Sequence, residues 1–181
     1  MVIHRRRFNI YLLVALQAAL LCGCKTGQSE AKKQLGTLRV YEEVNPDPMG
    51  HSQEVAIYRE HPSSLTVSKE PFLNEVHVKE AKVIDVVGGF ALRIKFDREG
   101  SWLLEQYTSA DRGRHLAMFS QFYEPSEKKL NAGRWLAAPL ITNHITDGVL
   151  IFTPDATREE AEQIARGLNN VAKKLENADT F

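Results

Sequence analysis

The most reactive side chains in the sequence are two thiols, Cys22 and Cys24, held in the stretch Leu21-Cys22-Gly23-Cys24. A thiolate is the strongest nucleophile among the ordinary side chains, so this stretch is where covalent chemistry is expected. Upstream stand Arg5, Arg6 and Arg7, then Ile10 to Leu21, apolar apart from Tyr11 and Gln17. A basic segment, an apolar run and a small residue before a cysteine read as a secretory signal. The run is about 12 residues long, well short of the ~20 that a permanent membrane helix needs. Elsewhere the titratable residues form no familiar constellation. His51, His61, His77, His115 and His144 are not spaced to place two ligands on one helix face, so no metal is expected. Gly88-Gly89 precedes a strand pattern and not a helix, so it is no phosphate cradle. Asp97 reads as a helix cap, Asp147 as part of the Thr146-Asp147-Gly148 turn, and Asp85 as a partner of Arg93. No catalytic residue and no cofactor are expected. The alternative is a cleft beside the second helix, formed near His115, His144 and Asp147, that holds a small ligand or hydrolyses one.

The four residues ending at Cys24 resemble the lipobox of bacterial lipoproteins. The resemblance implies cleavage between Gly23 and Cys24 and a diacylglycerol on the Cys24 sulfur. It also implies, in many bacteria, a further acyl chain such as palmitate on its amine. Burial of acyl chains contributes roughly 0.8 kcal/mol per CH2, so two or three chains hold a protein firmly to a membrane. The competing reading is an ordinary cleaved signal that leaves a free thiol. Residues 1–23 are thus read as signal peptide. Residues 24–36, polar and rich in Lys, Gln and Ser, are read as a flexible tether. The expected location is the cell envelope, facing the periplasm or the exterior. Lys25 after the cysteine favours the outer membrane over the inner.

Arg5, Arg6 and Arg7 leave with the signal, so a chain balanced at 23 basic and 23 acidic residues becomes mildly acidic. That excludes the electrostatic footprint of a nucleic-acid binder. One remaining cysteine, carrying lipid, excludes a disulfide. Stability must come from an apolar core, and a mature chain of this size is large enough to build one.

The elements that build this core are legible in order. Thr37 to Val44, Gln53 to Tyr58 and Leu65 to Val67 read as strands, separated by Asn45-Pro46-Asp47-Pro48-Met49-Gly50 and His61-Pro62-Ser63-Ser64. Phe72, Leu73 and Val76 read as a short link with its apolar side inward. Val78 to Val87 and Phe90 to Phe96 form a hairpin. A three-residue loop, Val87-Gly88-Gly89, would pair Val86 with Phe90 and Ile84 with Leu92, with Gly89 at positive φ. Asp97 caps a helix from Arg98 to Ala110 that buries Trp102, Leu103, Tyr107 and Ala110. His115 to Phe122, Arg134 to Ile141 and Val149 to Phe152 are strands, the second spoiled by Pro139 and so an edge or a bulge. Thr157-Arg158-Glu159-Glu160 is a capping box. Behind it Ala161, Ile164, Ala165, Leu168, Val171, Ala172 and Leu175 repeat at the helix period. Gly167 in that helix costs up to ~1 kcal/mol against Ala, which suggests a closely approaching neighbour. This order predicts an α+β domain over residues 37–176, a mostly antiparallel sheet with two helices on one face, and a frayed tail at 177–181.

Several segments resemble the head subdomain of the first periplasmic domain of SecD, in the SecDF protein-export family. They are Lys69-Glu70-Pro71 followed by Leu73, Phe96-Asp97-Arg98-Glu99-Gly100, and Gly113-Arg114-His115-Leu116-Ala117. Ala138-Pro139-Leu140-Ile141, Ile145-Thr146-Asp147-Gly148, Phe152-Thr153 and Glu159-Glu160-Ala161-Glu162 continue the match. The likeness runs from about Gln53 to Asn170. It implies a single ferredoxin-like head that meets exported polypeptide while a membrane part uses the proton gradient. This sequence departs from SecD in having no membrane helix after the signal and a longer Tyr123 to Gly133 loop. The expected function is therefore a lipid-anchored, non-catalytic module that binds exported polypeptide or an envelope or translocation protein. Trp102 and Tyr107 are read as core aromatics, whereas the sequence leaves open whether Trp135 and Tyr58 are buried or exposed. A sheet face left open would suit an extended polypeptide added by edge pairing, or would simply be solvated.

Overall fold

The structure is a computed structural model that describes residues 34–124 and 127–178. The signal peptide, the Gly23–Cys24 cleavage and lipid site, the tether as far as Lys33 and the tail from Asp179 lie outside the described residues.

The strands are β1 (Thr37–Glu42), β2 (Ser52–Ile57), β3 (Ser63–Ser68), β4 (Leu73–Asn74), β5 (Val78–Val86) and β6 (Gly89–Phe96). They continue as β7 (Leu116–Gln121), β8 (Tyr123–Glu124), β9 (Lys129–Leu130), β10 (Arg134–Ala137) and β11 (Val149–Phe152). The helices are α1 (Arg98–Ala110) and α2 (Arg158–Ala178). Every strand pairing is antiparallel, so the α+β class holds. The strands do not form one sheet, however. They divide into a four-stranded sheet (β10-β7-β1-β4), a three-stranded sheet (β11-β6-β5) and two small hairpins (β2-β3 and β8-β9). Local chemistry explains the break on both sides. Asn74 ends β4 by accepting the Val76 amide at 3.0 Å, which turns the chain into a 3-10 turn at Glu75–His77. On the opposite edge, β10 bulges between Trp135 and Ala137 and stops short of Pro139. A proline at an edge behaves in this way.

One main core joins both sheets and both helices. Leu38, Val40, Met118 and Leu136 come from the first sheet, and Leu92, Ile94, Leu150 and Phe152 from the second. Leu104 of α1 and Ile164 and Leu168 of α2 close it. The reverse side of the four-stranded sheet is covered by the β2-β3 hairpin, which packs Ile57 and Val67 on Tyr41 and Ala117. Trp135 lies half-buried under that hairpin, 5.0 Å from the Tyr41 ring and 5.4 Å from Phe119.

α2 follows its sequence signals closely. Thr157 Oγ1 accepts from the Glu160 amide at 3.2 Å and the Glu160 carboxylate accepts from the Thr157 amide at 2.8 Å, a closed capping box. Gly167 meets the backbone of Gly36: a Cβ added there would stand 2.7 Å from the Gly36 nitrogen. Gln34 to Gly36, read from sequence as the end of the tether, are accordingly seated on α2, with Asn170 Nδ2 donating to the Gln34 carbonyl at 2.7 Å.

Four expectations are corrected. The β5-β6 hairpin pairs Val86 with Gly89 and Val83 with Leu92, so its loop is Val87-Gly88 and not three residues. This register sets Ala81 and Val83 opposite Ile94 and Leu92 on the core side, and a bulge between Val78 and Glu80 brings Val78 to the same face. Trp102 is 62% exposed, because α1 turns Gly100, Leu104 and Thr108 inward and Trp102 falls on the opposite side of the helical wheel. Val76 is exposed as well, at the 3-10 turn. Asp85 pairs with Arg158 of α2, while Arg93 reaches Glu80 at 3.4 Å.

Candidate polypeptide-binding edge

A sheet edge offers a ready ladder of N–H and C=O groups unless something covers it. The three-stranded sheet has two such edges, and they are treated differently. At β5 the outward backbone of Ala81 is met by Asn169 of α2, whose Oδ1 accepts from the Ala81 amide and whose Nδ2 donates to the Ala81 carbonyl, both at 2.8 Å. The helix side chain thus stands in for a neighbouring strand. At β11 no such cover exists among the described residues. Phe96 donates to the Gly148 carbonyl at 2.9 Å, and the register Leu150↔Ile94 and Phe152↔Leu92 continues that ladder. Antiparallel alternation then turns the N–H and C=O of Val149 and Ile151 outward. Asp147 Oδ1 accepts the Val149 amide at 3.0 Å. The N–H and C=O of Ile151 bond to nothing among the described residues.

Beside this free edge runs a groove of 280 Å³ whose apolar lining includes Leu116, Leu140, Ile141, Ile145 and Ile151, with Thr108, Thr142 and Asn143 as its polar members. Its far wall is the Pro139 to Ile145 segment, fixed at several points. The Leu116 amide donates to the Pro139 carbonyl at 3.0 Å, and the Ile141 amide donates to the Arg114 carbonyl at 2.8 Å. The buried Thr108 hydroxyl donates to the Leu104 carbonyl at 2.6 Å and accepts the Ile145 amide at 2.9 Å, pinning the wall to α1. Leu140 and Ile151 face each other's side of the groove as large apolar residues, each 49% exposed. An unpaired strand edge next to an apolar slot provides what an extended chain needs: main-chain partners and a pocket for an alternate side chain.

A protein-family comparison decides the lineage. The family model described as "SecDF, P1 head subdomain" matches residues 52–172. The chain belongs to the SecDF P1 head family.

Two solved SecDF structures share the fold. The first is described as a membrane component that enhances protein export. It matches with TM-score 0.52 at 21% identity, over 83% of this chain and 71% of that one. The second, SecDF in a super-membrane-facing form, matches with TM-score 0.52 at 20% identity, over 82% of this chain. This chain spans only 21% of that second protein. Comparison with curated proteins gives no match.

Within this P1 head the residues of the alternative cleft do not come together. His115 is tied to the end of β1, its Nδ1 2.7 Å from Glu43 Oε2 while its amide donates to the same oxygen at 2.8 Å. Burial pushes the Glu43 carboxyl up, but the His115 hydrogen bonds and the nearby Arg114 outweigh it and hold the group below its ordinary range. His144 and Asp147 stand exposed in the loop before β11. None of the three lines either cavity beside α2. Among the described residues no cluster of His, Cys, Asp and Glu is arranged to hold a metal ion. Nor is any described helix long and apolar enough to cross a membrane. Tyr58 does reach the surface, at 40% exposure with φ 69°, and Trp135 is mostly covered. Sequence reasoning missed the Leu140–Ile151 groove. The available signal was Pro139, which ends β10 and sends Leu140 and Ile141 across to face β11.

Proposed function

We propose that this P1 head is a lipid-anchored, non-catalytic envelope module that binds extended polypeptide, in a role connected with protein export. Cys24 carries the anchor, and the domain faces the periplasm or the cell exterior. The observation that carries the reading is the outward, unbonded main chain of Ile151 beside the apolar groove. Family membership supports the link to export, since a structural relative is described as enhancing that process. An incoming strand would bond Ile151 and set one apolar side chain between Leu140 and Ile151, a mode that reads main chain more than sequence.

The test uses reduced, carboxymethylated lactalbumin as an unfolded probe and the full lipidated chain in vesicles. Ile151→Pro deletes the outward N–H and leaves the bonds to β6 intact, since that amide does not face β6. Binding should weaken about ten-fold, the size of one or two lost hydrogen bonds, with far-UV circular dichroism unchanged. Leu140→Asp should weaken it similarly by wetting the groove. Equal affinity in wild type and both variants would overturn the reading.

A further inference from the structure

The side of the domain that receives Gln34 also carries a cationic groove. Asn170, which holds the Gln34 carbonyl at 2.7 Å, lines a cavity of 460 Å³ together with Arg166 and Lys173. A second cavity of 450 Å³ continues it between α2 and β5, adding Lys79 and Lys95. Lys79, Lys95, Arg166 and Lys173 are exposed and form no ion pair among the described residues. Six basic side chains line the two cavities against three carboxylates, Glu80, Glu162 and Glu176.

From this placement we infer that the α2-β5 groove is a docking surface for anionic phospholipid headgroups, which sets the domain's orientation on the membrane. The inference rests on the lipid-anchor reading of Cys24. Gln34 lies ten residues along the chain from Cys24, a reach of at most about 35 Å, comparable to the width of a small domain. The leash therefore keeps the domain within contact range of the headgroups and attaches beside the cationic groove. Basic side chains this close to an anionic leaflet are attracted to it over about a Debye length.

Intact mass first reports whether Cys24 carries its acyl chains; a mass without them overturns the anchor and this inference together. The acylated full chain is then placed in pure phosphatidylcholine vesicles or in vesicles containing phosphatidylglycerol. Lysines are labelled with a water-soluble acylating reagent and quantified by mass spectrometry. Labelling of Lys79, Lys95 and Lys173 should slow about five-fold or more in the anionic vesicles, a factor expected from one basic group at the surface. Lys69, at the end of β3 on the hairpin side, should label equally in both. High salt should abolish the protection. Lys95→Glu with Lys173→Glu should remove it at Lys79 without altering acylation. Equal labelling of the groove lysines in both vesicle types, with the acyl chains present, would overturn this inference and leave the anchor standing.

Discussion

Asn169 bonds Ala81 twice, donating to its carbonyl and accepting from its amide, both at 2.8 Å. One side chain thereby closes the β5 edge that α2 lies along. Asn169→Ala leaves both backbone groups without a partner in a half-buried place, at a cost of about 1–3 kcal/mol. Urea unfolding should register that loss, and light scattering should register new edge-to-edge association. Asn169→Asp keeps the acceptor and loses the donor, so it should fall between the two.

Gly167→Ala sets a helix-propensity gain of ~1 kcal/mol against overpacking of about 1–3 kcal/mol. The new Cβ would stand 2.7 Å from the Gly36 nitrogen and 3.0 Å from its Cα, and backbone atoms cannot swing aside. The clash should win. Chemical denaturation is expected to give a net destabilisation, with the Gln34 to Gly36 segment more open to proteolysis.

Acid should loosen the junction between β10, α2 and the β2-β3 hairpin. Glu160 is gripped by Arg134 at 2.6 and 3.0 Å, and Asp155 by Arg59 at 3.2 Å. Burial raises both carboxyls, but the arginine and amide hydrogen bonds outweigh it and hold each below its ordinary value of 4.5 or 3.8. A depressed folded-state value means the stabilisation is complete above those ordinary values and is lost as pH falls through the lower, folded ones. Arg134→Met should lower stability by about 2 kcal/mol at pH 7. Its deficit against wild type should start to shrink as the melts are moved below pH 4.5 and disappear only below the lower, folded value.

Glu42 has the opposite sign. Burial and the neighbouring Asp111 raise its carboxyl above 4.5, with Arg114 opposing. The ionised form is therefore disfavoured in the folded state, and stability falls as pH rises through that range. Glu42→Gln should raise Tm by roughly 1–3 °C at neutral pH and have little effect at pH 4.

What the sequence made legible was mostly local. The Thr157 box, the stripe from Ala161 to Leu168 and the small residue at 167 are each set by neighbours within a few positions, and α2 follows them. Asp97 caps α1 as its spacing predicts, accepting the Gly100 amide at 2.7 Å. Trp102 went the other way because an apolar count cannot rank two candidate faces of one helix. His77 decides the face: its Cβ lies so near Gly100 that a side chain there would stand only 2.8 Å away, so that stripe turns inward. The division into separate sheets was equally hidden, since it depends on which strands fail to meet. The Ile151 edge follows from that failure and so was not legible either. Asp85 was assigned to Arg93 as the nearest opposite charge along the hairpin, and only the arrival of α2 reveals Arg158 as its partner.

Gly36 wedged against Gly167 also has a mechanical meaning. Tension arriving through Gly36 is delivered to the middle of a long helix, away from both its last turn and its cap. The strand that follows at once, β1, is flanked by β7 and β4, so a tug is resisted by a row of cross-strand bonds strained together. A domain hitched in this way can be pulled upon without being unzipped.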